Sequence, residues 1–395
     1  MLALVLLLGF GLRIYAQLLF PNPTMFPDSA DYHQIALNLL AGKGFALTPD
    51  LIATRPPLYP VLVAICYAFG LSAAGVCVIQ AFLGTLCIWL QYRLARLLCQ
   101  SEPIALAAAL LLAIDSHQIA FCSWLLTEVL FILLLLGCLL ALASLLHVRR
   151  LPWLQVALAG CLAGLGCLCR PSLIAFLPTA GICLLVVLPQ PRIKRLAAAS
   201  LFVMVATVTI LPWTIRNYCH FHAVIPVTTK TGQDLYEALG PDATGRFRGT
   251  EMVLPPETAK MTEGERDRFL RQWIWRYVQE HPHQTLWLAW EKFKLFWNPG
   301  LNNSAMFSSP WIKWGVIGLF SGLYLGALLG ICSGLPWRNL LLLLLPIVYF
   351  SLLHMVFIGS VRYRIPIMPY LEVLAACGII SVYTRISGKR CAACP

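Results

Sequence analysis

Charge is what this sequence has least of. Asp, Glu, Lys and Arg make up 12% of its 395 residues and hydrophobic residues 59%, whereas soluble domains average about 25% charged. A chain this poor in charge cannot cover a large core with solvated side chains, so most of it belongs in lipid. Acids are the scarcer sign, 17 against 29 lysines and arginines. A net charge of +12 would suggest nucleic acid in a soluble protein. Here the cations flank apolar runs, as in membrane proteins facing anionic lipid, and no nucleic-acid partner is implied.

Other absences narrow the reading further. The opening run MLALVLLLGFGLRIYAQLLF has neither a basic leader nor a small-residue cleavage site, so it reads as a retained first span rather than a signal peptide; its Arg13 then either faces the bundle or indicates that the true start lies elsewhere. No internal repeat and no low-complexity stretch occurs. Fifteen cysteines look like a disulfide framework, but most lie inside apolar runs, where free Cys acts as a small hydrophobe. The C-x-x-C of Cys391 and Cys394 has no second pair to make it a metal or redox motif. The histidines show no metal-site spacing: His281 and His283 flank a proline, and His220 and His222 alternate. No metal ligand set is assigned and the cofactor is unknown; a divalent metal is compatible with the sequence but not required by it.

What is present is a series of apolar runs. Ten of them, at 1–20, 75–98, 103–120, 122–146, 153–170, 172–189, 196–214, 311–333, 338–358 and 365–384, approach the ~20 residues that cross a hydrocarbon core, and in lipid such runs must be helices. The expected fold is an all-α polytopic membrane protein of about 10–11 transmembrane helices, with extracytoplasmic juxtamembrane helices and a small helical periplasmic loop region. Three units follow: 1–216, a transmembrane catalytic module whose first external loop is 21–57; 217–310, an extracytoplasmic cap; and 311–395, the C-terminal helices and a cytoplasmic tail. Placing Arg93/Arg96, Arg149/Arg150, Arg192/Lys194/Arg195, Arg338 and Arg385/Lys389/Arg390 on the cytoplasmic side puts the first loop and the cap together outside only if 57–73 does not cross. That segment is therefore read as a re-entrant or juxtamembrane helix. The alternative is an ordinary short span with topology set by something other than charge.

Under that topology Arg55, Arg170, Arg216, Arg362 and Arg364 remain outside, each near the end of an apolar run, in RPP, RPS, PWTIR and VRYRIP. One such arginine could snorkel or pair with a carboxylate. Five on one face suggest a shared anion, and guanidinium suits bidentate phosphate binding. Two acids share that face. Asp28 opens the polar-faced helix PDSADYHQIALNLL, whose stripe includes Tyr32; it could equally be an N-cap with Asp31 as its capping-box partner. Glu128, six residues into the run beginning at 122, is costly in lipid and hence a functional candidate; the alternative is a buried Glu paired with one of the arginines. Asp115, in AIDSHQIAF, sits in a polar turn where solvation explains it. His354 is either a phosphate donor or a satisfied polar core residue. In the insertion, a helix ending at His281-Pro282 precedes QTLWLAWEKFKLFWNP, whose Trp, Phe and Lys suit an interfacial helix.

In order along the chain, PDSADYHQIALNLLAGKGF, TRPPLYP, LLTEVLF, CRPSLI, LPWTIRN and VRYRIPIMPYL together resemble the polytopic glycosyltransferases that use polyprenyl-phosphate sugars. These are the GT-C superfamily of protein O-mannosyltransferases and the lipid A aminoarabinose transferase, here nearest the bacterial family 39-like branch. The resemblance implies an inverting transfer from a polyprenyl-phosphate-linked sugar to a hydroxyl of a lipid, glycan or protein, at the outer face of a bacterial inner membrane. It implies Asp28 as the catalytic acid, puts Glu128 on the family's second acidic position and Arg55 near the donor phosphate, and matches Arg216, Arg362 and Arg364 to recurrent family arginines. Joined to the topology reading, this gives Asp28 and Glu128 as catalytic candidates, Arg55, Arg170, Arg216, Arg362 and Arg364 as donor-phosphate ligands, and Tyr32, Tyr59 and His354 as supporting residues. There are departures: Ser29 follows Asp28 where protein mannosyltransferases have Asp-Glu, aminoarabinose transferases carry lysine at the place of Arg55, and no large external sugar-binding domain is evident. The rival classes are a transporter or flippase of lipid-linked glycans, for which repeats, broken helices and midplane charges are the expected signs, and a catalytically silent scaffold.

Overall fold

A computed structural model describes residues 1–248, 252–300 and 310–387; the Cys391/Cys394 pair and the last basic residues lie outside them. Among the described residues the regular structure is helical, with a single β-bridge between Thr48 and Leu51. In chain order the helices are α1 (Leu2–Leu19), α2 (Pro27–Leu40), α3 (Leu58–Ala68), α4 (Ala73–Cys99), α5 (Glu102–Ile114), α6 (Ser116–Ala120), α7 (Glu128–Ser144), α8 (Trp153–Cys169), α9 (Phe176–Val187), α10 (Arg192–Phe221), α11 (Thr231–Leu239), α12 (Glu263–Glu280), α13 (Pro282–Trp297), α14 (Pro310–Ile331), α15 (Trp337–Val356), α16 (Val361–Arg364) and α17 (Met368–Ile386).

All ten expected apolar runs are helical. Seven helices, among them the continuous unit Val361–Ile386, are long and apolar enough to cross a membrane. An eighth span, expected as one helix over 103–120, is broken by a 52° bend between Ile114 and Ser116. Asp115 is responsible: its carboxylate accepts from the backbone amides of His117 and Gln118 and starts α6. It is buried, which corrects the expectation of a solvated turn; a cap inside the bundle must itself satisfy the new helix start. The runs at 153–170 and 172–189 form shorter apolar helices. Helix α3, over the segment read as not crossing, has 11 residues, or about 16 Å at 1.5 Å per residue, against a core ~30 Å thick. The boundary expected at 216/217 falls inside α10, which runs to Phe221 and stops at His222 in the left-handed conformation, φ 50°.

Lipid offers apolar helices no hydrophobic drive to associate, so close backbone approach through small residues carries much of the packing. Gly160 and Gly164 on α8 lie against α10, where a Cβ would come within 2.5 Å of Phe202 O and 2.7 Å of Ala206 O. On α14, Gly330 packs on the Leu374 carbonyl of α17, and Gly378 of α17 packs on Gly326 O. Of the two readings of Arg13, the structure shows it facing the bundle: it is buried and donates to Gly9 O, Leu112 O and Ala113 O.

The insertion folds as a small cap. Thr262 and Glu265 form a capping box that starts α12, and α12 ends where His281-Pro282 was expected to end it. Leu270 and Ile274 of α12 pack on Tyr236, Ala238 and Leu239 of α11. Helix α13 leaves Leu286, Trp287 and Trp290 exposed. The cap is pinned to the bundle by Lys292, which is fully buried with Nζ donating to Val356 O at 2.7 Å and Ala238 O at 3.3 Å. Burial pushes the Lys292 ammonium down to about 7.

Two outcomes follow from this packing. Gly330→Val places a β-branched side chain onto α17 and is expected to lower stability by at least ~1–3 kcal/mol, the usual cost of overpacking. Gly322→Val on the same helix, where a Cβ meets nothing within 4 Å, should cost little; paired unfolding titrations in detergent check this. For Lys292, whose folded pKa of about 7 lies below the ~10.4 of an unfolded lysine, the unfolded chain binds more protons between those values. Stability should then rise with pH from about 7 to about 10. The Lys292→Met protein should lose that slope in unfolding midpoints taken across the range.

Candidate active site

Helix α2 begins with Phe26 as an extended N-cap and Pro27 at the first helical position, and no side chain caps it. Proline has no N–H to satisfy there. The N-cap and capping-box reading of Asp28 and Asp31 is therefore corrected: both carboxylates are free of the helix backbone and turn to arginines. Arg55, in the loop before α3, donates through Nε (2.9 Å) and Nη2 (2.6 Å) to Asp31 Oδ2, and its Nη2 lies 2.7 Å from Asp28 Oδ1. Arg362, in α16, donates through Nη1 to Asp28 Oδ2 at 2.8 Å and through Nε to Glu128 Oε1 at 2.5 Å. Arg170, just past the end of α8, has Nη2 3.6 Å from that same Glu128 oxygen.

The result is a continuous alternation, Asp31–Arg55–Asp28–Arg362–Glu128–Arg170, of three acids and three guanidinium groups. Its parts come from α2, the first loop, α7, the α8 end and α16. Aromatic rings fill the sides. The Arg55 guanidinium lies 5.5 Å from the Tyr32 ring centroid, and Arg170 lies 5.6 Å from Phe131 and 5.8 Å from Tyr363. Tyr32 packs edge-on against Tyr59, whose hydroxyl donates to Gln80 Oε1, while Gln80 Nε2 holds the carbonyls of Cys122 and Trp124. Tyr59 thus supports the site from one layer behind.

Glu128 does not lie six residues into a helix. The chain passes a short 3-10 turn over Phe121–Ser123 and four irregular residues, and Glu128 opens α7. An acid at a helix start faces the positive end of the helix dipole. The Glu128 side chain is 0% exposed and the Asp28 side chain 26%, so a molecule entering from solvent meets Asp28 first. Glu128 Oε2 has no hydrogen-bond partner among the described residues. Burial alone would raise the Asp28 carboxyl; Arg362, Arg55 and Lys230 outweigh it and hold Asp28 well below the usual carboxylate range. Arg55 is correspondingly held in its charged form against burial by Tyr32, Asp28 and Asp31.

Three expected residues stand apart from this chain of charges. Arg216 donates to Ile52 O and Phe45 O and lies over Trp213, fastening the first loop to α10. Arg364 is buried, donates to Phe296 O and Asn298 O, and lies over Phe320 and Tyr324. His354 is buried with Nδ1 on Ile358 O, its ring stacked on Phe296, Phe350 and Tyr363, the satisfied core residue of the two readings. The two arginines were marked by sitting near the end of an apolar run, and His354 by lying inside a span near the Arg362/Arg364 pair. Such ends also hold arginines that satisfy exposed carbonyls.

Sequence reasoning gave Asp31 only a capping role, and it missed Tyr363, although Tyr363 sits between two flagged arginines. It also missed Lys230 and Asp234 of the cap, 4.0 Å apart. Their segment is sewn to the first loop, with Thr229 N on Ala53 O and Thr228 Oγ1 on Thr54 O. Nothing in the spacing of the insertion signals that return. Among the described residues no three His, Cys, Asp or Glu side chains gather as a metal-binding group.

The family described as "Dolichyl-phosphate-mannose-protein mannosyltransferase" matches residues 54–215, under half of the chain, taking in Arg55, Glu128 and Arg170. No curated protein matches. Among solved structures, the apo oligosaccharyltransferase of Archaeoglobus fulgidus aligns over 98% of this chain and 51% of its own, at TM-score 0.59 and 13% identity. ArnT from Cupriavidus metallidurans, bound to undecaprenyl phosphate, aligns over 98% of this chain and 61% of its own, at TM-score 0.59 and 14% identity. The fold is that of the GT-C membrane glycosyltransferases. The A. fulgidus enzyme AglB, in complex with an inhibitory peptide and a dolichol-phosphate, aligns equally well, with 98% of this chain on 50% of that one, at TM-score 0.59 and 14% identity. This chain therefore spans about half to three fifths of the length of these GT-C proteins.

The contrast in burial along the charge chain predicts unequal costs. Glu128→Gln removes the only fully buried acid of the series and leaves Arg170 without a carboxylate. It is expected to cost about 3–5 kcal/mol, as for breaking a buried pair. Asp31→Asn acts on a carboxylate that is 28% exposed and is expected to cost at most about 1 kcal/mol. Unfolding free energies of the two variants in detergent check the order.

Proposed function

We propose that this chain is an inverting glycosyltransferase that moves a sugar from a polyprenyl-phosphate-linked donor to an acceptor hydroxyl on a lipid, glycan or protein. The site faces the outside of a bacterial inner membrane. The observation that carries the reading is Asp28, part-exposed, gripped between Arg55 and Arg362 in a fold shared with proteins solved with undecaprenyl phosphate and dolichol-phosphate. The orientation rests on Arg93, Arg96, Arg149 and Arg150 lying toward the end of the bundle away from the site.

The residues divide the work as follows. The acceptor oxygen attacks the anomeric carbon from the face opposite the phosphate. Its O–H proton passes to an Asp28 oxygen, the carbon–oxygen bond to the phosphate breaks, and the phosphate leaves with that electron pair. Arg55, Arg170 and Arg362 stabilise the charge growing on the leaving group, and Glu128 holds Arg362 and Arg170 in place for it. While both guanidinium groups stay on Asp28, its carboxylate is a weak base. A donor phosphate competes for the same N–H groups, and each one it draws away strengthens Asp28 as a proton acceptor. A base so placed contributes ~10²–10⁴-fold.

The broken pair α5–α6 is a feature that transporters also show. Here the backbone amides at the break are taken by Asp115 itself, and the alternating acids and arginines gather at one end of the bundle beneath a cap, which favours the enzyme. The test is mass spectrometry of membrane lipids and surface glycans from wild-type, deletion and Asp28→Asn strains. The expected result is loss of one hexose- or pentose-sized modification in both mutants, with the polyprenyl-phosphate sugar retained. If the deletion changes glycans while Asp28→Asn, at normal protein level, matches wild type, the assignment of Asp28 fails and transport moves ahead.

A further inference from the structure

A second cavity lies between α4, α7 and α8, far from the site just described and independent of the reaction proposed for it. Its volume is about 670 Å³, within the ~300–1,000 Å³ range of ligand pockets. Gly137, Leu140, Ala141 and Ser144 of α7 form its floor, and the three small ones are spaced four and three apart so that they share one helix face. Leu97 of α4 and Leu158 and Leu162 of α8 form apolar walls, and Arg93 and Arg96 of α4 line the same cavity.

Depth fixes what kind of molecule fits. Glu128 and Ser144 are the two ends of α7. Sixteen residues at 1.5 Å each separate them by about 24 Å, close to the ~30 Å hydrocarbon core. With Glu128 at one membrane face, Ser144 and the neighbouring arginines lie at the other. Gly137 sits about 10 Å deeper along the helix, at the level of acyl chains. The cavity is therefore polar at headgroup depth and apolar below it.

Arg93 has no acid partner among the described residues, and Arg96 has only one, at the surface. Arg93 lies over the Trp89 ring at 5.4 Å, and the partner of Arg96 is Glu102 at 3.0 Å. A fork of N–H donors at headgroup level matches phosphate oxygens, and anionic lipids concentrate in the leaflet that faces the cytoplasm. We propose that this cavity is a binding site for one anionic phospholipid of the leaflet opposite the candidate active site. Its phosphate lies on Arg93 and Arg96, and an acyl chain lies over Gly137, Ala141 and Ser144.

The test uses the full chain in detergent, titrated with phosphatidylglycerol or phosphatidylcholine of identical acyl chains and read by native mass spectrometry. A charge-assisted contact is worth enough that one phosphatidylglycerol should be retained at about tenfold lower lipid concentration than phosphatidylcholine. The double variant Arg93→Gln/Arg96→Gln should lower phosphatidylglycerol to the phosphatidylcholine level, Arg93→Lys should keep part of the preference, and Ser144→Leu should remove the bound lipid by filling the floor. Equal retention of both lipids by wild type overturns the proposal. So does a preference that survives the double variant, which places the headgroup elsewhere, or lipid retention unchanged by Ser144→Leu, which places the chain elsewhere.

Discussion

Arg362 joins three parts of the chain that are otherwise far apart. Its Nη1 reaches Asp28 across 334 residues of sequence and its Nε reaches Glu128 across 234, so the first loop, the start of α7 and the entry to the last span meet on one guanidinium. Taking such a group out of water is expensive unless its charge and its N–H groups are matched. Two carboxylates supply the match, and Arg55 and Arg170 then balance what those carboxylates have left. Removal of any inner member leaves a neighbour of the opposite sign partly unmatched, which makes the series a unit and not a set of separate pairs.

A unit of this kind needs a stiff frame, and the frame is made from backbone groups. Glu263 of the cap collects the amides of Ile52 and Ala53 on one oxygen and the Thr229 hydroxyl on the other. Asp267 takes the Gly232 amide, at a place where a side chain on residue 232 would run into the α12 backbone. Arg216 holds two loop carbonyls from the membrane side. The loop is thus fastened above and below by groups that take no part in the charge series. Among the described residues Arg55 has only carboxylates as hydrogen-bond partners, and those are partners a phosphate can displace.

The parts of this arrangement that could be read in sequence are those set by solvent. Lipid demands long apolar helices, so all ten runs were visible. It penalises charge, so Asp28, Glu128, Arg55, Arg170 and Arg362 stood out and proved to be neighbours. What could not be read depends on where the chain turns. Glu128 lies at a helix start because residues 124–127 are irregular, although their apolarity suits a helix. Asp115 breaks a span from within, where an acid between apolar runs looks like an ordinary solvated turn. Arg216 and Arg364 share the composition and position of the site arginines and differ only in which oxygens lie within reach, a property of tertiary contact.

Those two arginines belong to a wider pattern that the scarcity of acids imposes. With 17 carboxylates against 29 lysines and arginines, the chain cannot give every cation an acid, and three buried ones go without. Arg13 instead donates to Leu112 O and Ala113 O at the end of α5. Arg364 donates to Phe296 O and Asn298 O at the end of α13. Lys292 donates to Val356 O at the end of α15 and Ala238 O at the end of α11. The last carbonyls of a helix have no partners within it and carry the negative end of its dipole, so each cation and each helix end satisfies the other without a carboxylate. Acids are thereby released from pairing with these cations, and three of the few available stand together at one site. The concentration of Asp28, Asp31 and Glu128 around arginines is then informative, because in this chain a buried cation alone does not call for an acid.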